Sequence, residues 1–330
     1  MSAWSATGLA HPNIAFIKYW GNVDDALRLP VSGSISMNLA GLHTRTTVTF
    51  SPDLVADRAT VDGRVMTGEG LARIIRHLDH VRTLAGSTLC AEVISASNFP
   101  TGAGIASSAS AFAALSLAAT AALGLTLSER ALSSLARLGS GSAARSIPGG
   151  FVEWHPGDSH ESSTAESIAP ADHWLLTDLV AVVSRAHKHT GSTEGHRVAA
   201  SSPLQAARIA SAPARLDQCR RAILTRDFEA LADVMELDSN VMHAIMMTSQ
   251  PSLMYWQPET MAIMHAVRDL RMQGVPVCFT IDAGPNVHCI CAPGGVDTVR
   301  AALIAIPGVL EILEAPPGGP ARLESDEGGA

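Results

Sequence analysis

Lysine is nearly absent from this chain. Among 23 basic residues only Lys18 and Lys188 are lysines. A genome that favours arginine codons accounts for the scarcity but not for the places where lysine survives, inside two of the most unusual polar segments. Arginine is a wide planar fork and lysine a compact ammonium, so a site needing a small point charge resists the exchange. Charge is sparse as well: 16% of residues are charged and the formal net charge is −8, with no block of Lys and Arg. That balance excludes a nucleic-acid-binding surface. No run of eighteen apolar residues occurs. The longest apolar stretch, residues 109–123, is alanine-rich and broken by Ser and Thr, which argues against a membrane span. The first residues lack a basic segment followed by an apolar core, so no secretory signal is read there and a cytoplasmic location is expected. The five cysteines form no CxxC pair. They read as small buried hydrophobes in a reducing compartment, with Cys289 and Cys291 on one face of a strand.

What is present points to a globular protein. A length of 330 residues with 47% hydrophobic content suits two domains. Residues 7–50 alternate apolar and polar positions and predict antiparallel strands, clearest over 44–50. Helical spacing marks 70–85, with Leu71, Ile74, Ile75, Leu78 and Val81 on one side. A strand follows over 90–95, then a polar loop over 97–104. A long helix starts near Ser107 and a second runs from Ser128 to about 138. Residues 155–173 read as an exposed loop. Further strands are predicted at 179–184, 276–281 and 288–292, and helices at 204–225, 228–247 and 259–273. No internal repeat is visible. Strands followed by helices mixed with antiparallel strands make an α+β protein of two domains. The expected division is 1–180 and 181–330, with a disordered tail from about residue 322.

Four segments can carry chemistry. PTGAGIASSAS (100–110) lies between a strand and a long helix. Small residues there admit close backbone approach, and a helix beginning at Ser107 and Ser108 aims free N–H groups and its positive end at an anion. An ordinary serine N-cap is the plain alternative. No Gly-Lys-Ser/Thr follows, so it is not a Walker loop. GSGSAARSIPGG (139–150) formally matches a dinucleotide fingerprint but follows a helix instead of a strand, which removes that reading. Its hydroxyls Ser140 and Ser142, with Arg145 beyond, suit a phosphate or carboxylate. In HPNIAFIKYWGN (11–22), Asn13 and Lys18 flank an apolar strand; alone, it is a strand with an edge lysine. Asp282 in FTIDAGPN is either a turn former or a desolvated acid facing a substrate hydroxyl.

Together these segments resemble the diphosphomevalonate decarboxylase family, within the galactokinase, homoserine kinase, mevalonate kinase and phosphomevalonate kinase superfamily. The resemblance runs over about residues 7–292. It is carried by PNIAFIKYWG (12–21), SGSISMNL (32–39), SNFPTGAGIASSAS (97–110), ARLGSGSAARSIPGGFVEW (136–154), GSTEG (191–195) and DAGPN (282–286), in the family's order and spacing. It implies two α+β domains with ATP and substrate between them, and suggests a homodimer. It makes 100–110 the ATP phosphate loop, with Pro100, Gly102 and Gly104 against the nucleotide, and Ser107 and Ser108 near the triphosphate. Ser108 would also meet Mg2+. Asp282 matches the catalytic acid, Lys18 the lysine near the transferred phosphoryl group, and Arg145 the arginine on the substrate carboxylate. Asn13 matches a residue that helps hold the carboxylate and Arg145. Tyr19, Ser140, Ser142, Ser192 and Thr193 match substrate contacts.

Two departures bear on the substrate. The diphosphate-using family usually has a second lysine after KYWG; this chain has Asn22. After Ser192 it has Thr193 and then Gly195-His196, where many members have Arg or Thr and then Gly-Met. Loss of a cation where an outer phosphate should lie favours 5-phosphomevalonate, with isopentenyl phosphate as product. The diphosphate remains the alternative, with His187, His189 and His196 replacing the lost charge. A kinase that phosphorylates without decarboxylating is the second alternative.

Overall fold

The computed structural model describes residues 4–99, 107–186 and 191–324. Alternating burial builds the first half. β1 (Trp4–Ala10), β2 (Asn13–Ile17), the short pair β3 (Asn22–Asp24) and β4 (Leu29–Pro30), β5 (Ser34–Asn38), β6 (Thr44–Ser51), β7 (Arg58–Val61) and β8 (Arg64–Val65) follow in order. In β6, Thr44, Thr46, Val48 and Phe50 are buried while the residues between them are less so, the period-two pattern of a one-sided strand. Then come α1 (Gly68–Ala85), β9 (Cys90–Ser97), α2 (Ser107–Ala122), α3 (Glu129–Gly139), a 3-10 turn (Gly141–Ser146), β10 (Phe151–Trp154), β11 (Ala165–Ala169) and β12 (Thr177–Val182). The second half holds α4 (Ser192–Val198), α5 (Gln205–Thr225), α6 (Phe228–Thr248), α7 (Pro258–Met272), β13 (Val277–Thr280), β14 (Val287–Cys291), α8 (Val296–Ile304), β15 (Glu311–Ala315) and β16 (Arg322–Glu324).

Three sheets carry the architecture. The first has the order β16-β1-β6-β9-β7-β8, the second β11-β10-β5-β2 and the third β13-β14-β12-β15. Among the described residues, all ladders are antiparallel except β7 with β9. Helix α2, apolar on every side, packs on the first sheet with α1 and α3 and fills one core. It lies so close that a Cβ on Gly8 of β1 would meet Ala114 O at 2.6 Å. A second core runs from β2, β5 and β10 through α5 and α6 to the inner face of β12, β13 and β14. A third lies between the outer face of that sheet and α7 with α8. The alternation places Cys278 and Ile290 on one face, and Val277, Phe279, Cys289 and Cys291 on the other. All five cysteines are free, and Cys219, Cys278, Cys289 and Cys291 are buried.

Several sequence expectations need correcting. Residues 322–324, expected in a disordered tail, form β16, which pairs antiparallel with β1 (Thr7↔Glu324). The chain therefore returns to the first sheet instead of ending in the second half, so a single division near residue 180 does not separate the sheets. The loop expected over 155–173 contains β11, which pairs with β10. Both α8 and β15 lie where no element was predicted. Pro100, Gly102 and Gly104 lie outside the described residues, as do His187, Lys188 and His189. Among the described residues, no helix is long and apolar enough to cross a membrane.

Candidate active site

Strand β2 is buried along its whole length and delivers Lys18, which is 1% exposed, to the floor of a cavity of about 320 Å3. Its Nζ donates to Asp282 Oδ1 at 2.6 Å. Asp282 leaves the end of β13 in a tight turn closed by Gly284 N–H donating to Asp282 O at 2.7 Å. Burial pushes the Asp282 carboxyl up, but Lys18, His288 and Arg145 together outweigh that and hold it below the usual carboxylate range. The lysine is thus locked by a charge-assisted bond and the acid is kept ionised at neutral pH.

Arg145, near the end of the 3-10 turn, is buried. Its Nη1 donates to Ser34 Oγ at 2.6 Å, and its Nε and Nη2 donate to Asn13 Oδ1 at 3.3 and 3.2 Å. Asn13 is fixed in turn, because its Nδ2 donates to Ser142 O at 3.1 Å and Ser146 Oγ at 2.8 Å. Burial lowers the Arg145 pKa to about 10, against the pull of Asp282 and Tyr19, which leaves the group charged at neutral pH. Among the described residues it forms no ion pair with a carboxylate. A buried guanidinium without a carboxylate partner is costly unless an anion completes it. This cation faces the cavity.

The opposite wall is a row of hydroxyls. Ser108 Oγ lies 3.0 Å from Ser140 Oγ, which lies 3.3 Å from Ser142 Oγ. Ser107 and Ser108 form the first turn of α2 and line the cavity. That turn has no acidic residue, so the positive end of the helix dipole favours an anion there. These features fit a nucleotide phosphate and its magnesium ion. Gly141 lets the wall close on Tyr19, since a Cβ there would meet the ring at 2.5 Å. The Tyr19 hydroxyl donates to Asn22 Oδ1 at 2.5 Å, and Asn22 Nδ2 donates to Asp25 Oδ1 at 2.8 Å. Thr193 lines the same cavity. The Ser192 side chain lies outside what is described.

Two cavity residues escaped the sequence reading. Arg28, from the β3–β4 hairpin, donates through Nε to Leu138 O at 3.0 Å. Arg73, from α1, donates to Gly139 O through Nε at 3.1 Å and Nη2 at 2.7 Å, with its guanidinium over the Phe112 ring. Consecutive carbonyls at the C-terminal, partly negative end of α3 therefore orient both cations. No local motif signals them, because each partner is far away in sequence. They add fixed positive charge to the cavity beside the hydroxyl row.

His196 needs a further correction. It stacks between Tyr19 and Trp20, with ring centroids 4.1 and 4.7 Å away. Its Nδ1 accepts the Gly21 N–H at 2.9 Å. Burial, with Arg28, Arg208 and Arg145 nearby, lowers its pKa to about 3. His196 is a neutral structural ring and no substitute for a lost lysine.

Comparison with known proteins agrees with this geometry. Residues 10–165 match the family model of the diphosphomevalonate decarboxylase-like N-terminal domain, and residues 178–309 that of the mevalonate 5-diphosphate decarboxylase C-terminal domain. The chain is 37% identical to a diphosphomevalonate decarboxylase of Aspergillus fumigatus, over 93% of this chain and 81% of the relative. It is also 37% identical to a phosphomevalonate decarboxylase of Haloferax volcanii, over 90% of this chain and 91% of the relative. A solved structure described as MDDEF in complex with MVAPP, AMPPCP and magnesium superposes with a TM-score of 0.92 at 35% identity, over 98% of this chain and 99% of that one.

Proposed function

The chain belongs to the diphosphomevalonate decarboxylase family, and from that premise we propose that it decarboxylates 5-phosphomevalonate with ATP, giving isopentenyl phosphate, ADP, inorganic phosphate and CO2. The observation that carries this reading is buried Arg145, held by Asn13 and Ser34 and lacking a carboxylate partner among the described residues, beside the Lys18–Asp282 pair. The substrate carboxylate completes the arginine. Asp282 accepts the proton of the tertiary C3 hydroxyl as its oxygen attacks the γ-phosphorus. Lys18 lies against the transferred phosphoryl group and offsets its developing charge. The C3–O bond then breaks with phosphate as leaving group. Electrons of the C1–C2 bond form the C2=C3 alkene, and C1 departs as CO2. Arg145 keeps the carboxylate aligned for that step. Ser108 would hold the magnesium ion that accompanies ATP, and the ion would supply further neutralisation of the phosphate oxygens.

The monophosphate is favoured by the fate of Asn22. Its amide is committed to the Tyr19–Asn22–Asp25 chain, whose carboxylate lies 4.0 Å from the Arg197 guanidinium. Asn22 thus offers a second phosphate no cation of its own, whereas Arg28, Arg73, Ser140 and Ser142 suit one phosphate dianion. A specific observation also favours the diphosphate: those same two arginines supply fixed positive charge. Parallel assays with the two substrates separate the readings, because only the favoured one gives CO2 at high kcat/KM. ADP without CO2 from either substrate points to a kinase instead. A homodimer and a cytoplasmic location complete the proposal. Sedimentation of the purified protein tests the former.

A further inference from the structure

Lys18 and Asp282 arrive from different sheets, β2 from the second and β13 from the third, yet stand 2.6 Å apart. Among the described residues, no strand pairing joins those sheets. What reaches both is α6. Asp238 Oδ2 accepts the backbone N–H of Lys18 at 2.6 Å. The next residue, Ser239, accepts the N–H of Ile281 at 3.0 Å, one residue before Asp282. His243 Nε2 lies 3.3 Å from Ile281 O, and Glu236 Oε1 accepts the N–H of Phe279 at 3.2 Å. β13 is an edge strand. Side chains at 236, 239 and 243 share a helix face and stand where a neighbouring strand would otherwise bond those backbone groups.

The grip on Lys18 is braced from α5. Arg215 Nε donates to Asp238 Oδ1 at 2.6 Å. Arg208 donates to Lys18 O at 2.7 Å and to Trp20 O at 3.0 Å. Both backbone polar groups of Lys18 are therefore held by charged side chains. Asp238, Ser239, Arg208, Arg215 and His243 are all buried.

We propose that Asp238 and Ser239 are positioning residues, two consecutive side chains of α6 that fix the separation of Lys18 and Asp282 and so set the rate of phosphoryl transfer. This rests on the reading of Lys18 and Asp282 as the reacting pair. The reacting geometry tolerates little error: a displacement of about 1 Å costs on the order of a hundredfold in rate. Loss of one of several contacts shifts the pair by less than that.

Ser239 carries the test, because Asp238→Asn strips buried Arg215 of its counter-charge and can cost the fold. Steady-state kinetics on wild type, S239A, S239T, D282N and the S239A/D282N double variant, with melting temperatures, decide the matter. We expect S239A to lower kcat about tenfold, with both KM values within about twofold of wild type. S239T restores most of kcat. S239A costs nothing further in the D282N background, where the acid it positions is already disabled. An S239A enzyme with wild-type kcat overturns the inference. So does an equal fold-loss in the D282N background, or a melting temperature that falls while kcat holds. A wild-type enzyme that turns over no phosphorylated mevalonate overturns the functional reading together with this inference.

Discussion

At the scale of the residue, the sparse lysines have a physical account. Lys18 Nζ fits between buried β2 and the carboxylate of Asp282, where a planar guanidinium would need more room and more acceptors. Asp282→Asn keeps size and much of the hydrogen bonding but removes charge and basicity. Turnover should fall by about 10²–10⁴ while the ATP dissociation constant, measured by calorimetry, stays near wild type; near wild-type turnover would make the acid a turn former only. In the proposed reading, Asn22 bears on specificity. Asn22→Lys places a cation beside Asp25 and within reach of an outer phosphate. A charge-assisted hydrogen bond contributes roughly 1.5–3 kcal/mol, and pairing with Asp25 consumes part of it. The kcat/KM ratio of diphosphate to monophosphate should therefore rise about tenfold, and an unchanged ratio would show that Asn22 does not decide specificity. Arg28→Gln removes a cavity cation, so KM for the phosphorylated substrate should rise about tenfold with a smaller change in kcat. That Lys18, Asp282, Arg145, Asn13, Ser107, Ser108, Ser140 and Ser142 belong together was legible in sequence, because each sits in a recognisable segment, and all of them line one cavity. Arg28 and Arg73 were not, since single arginines on a hairpin and a helix acquire meaning only from the distant carbonyls of Leu138 and Gly139.

At the scale of the element, strong periodicity was readable and short partnered strands were not. Helices α1, α2, α5, α6 and α7 have lengths and apolar spacing that a sequence displays. β11, β15 and β16 are strands of five, five and three residues; β15 and β16 exist because distant strands pair with them, and β11 because it pairs with β10 across an irregular loop. The misreading of His196 has the same origin: its neutrality follows from rings contributed by Tyr19 and Trp20, far away in the chain. Two other buried histidines yield a pH prediction. Burial lowers His77, in contact with Ser116 Oγ, to about 3 and His243 to about 4. Their unfolded pKa is about 6.5, so below that pH the unfolded chain takes up protons that the folded one refuses. Each contributes stability that is fully present above about pH 6.5 and is lost at roughly 1.4 kcal/mol per pH unit on the way down. Asp282, held low, adds its own loss only at still lower pH. The melting temperature should fall steadily from pH 6.5 to 4.5, and His77→Gln should flatten that slope even if it lowers stability at pH 7. A slope unaffected by His77→Gln would place the protons elsewhere.

At the scale of the whole molecule, the cavity lies where elements from both halves converge. The first half contributes the end of β2, the β3–β4 hairpin, the α2 N-terminus and the turn carrying Arg145. The second contributes Asp282, Thr193, His196 and Met242 of α6, with the braces on α5 and α6 behind them. A core continuous from β2 through α5 and α6 to β12 makes the halves one scaffold at the site. The α+β class and the two-domain family were legible from the motifs. The shared core was not, because a helix's partner face cannot be read from its own spacing. The central claim is that this scaffold couples phosphorylation of C3 to loss of the neighbouring carboxylate on a singly phosphorylated mevalonate. The most direct test is to incubate the enzyme with ATP, Mg2+ and either 5-phosphomevalonate or its diphosphate at pH 8, and to count ADP, phosphate and CO2. The account predicts the three products in equal amounts, with kcat/KM for the monophosphate higher by at least about tenfold, equivalent to roughly 1.4 kcal/mol. ADP released without CO2, or a preference for the diphosphate, would contradict it.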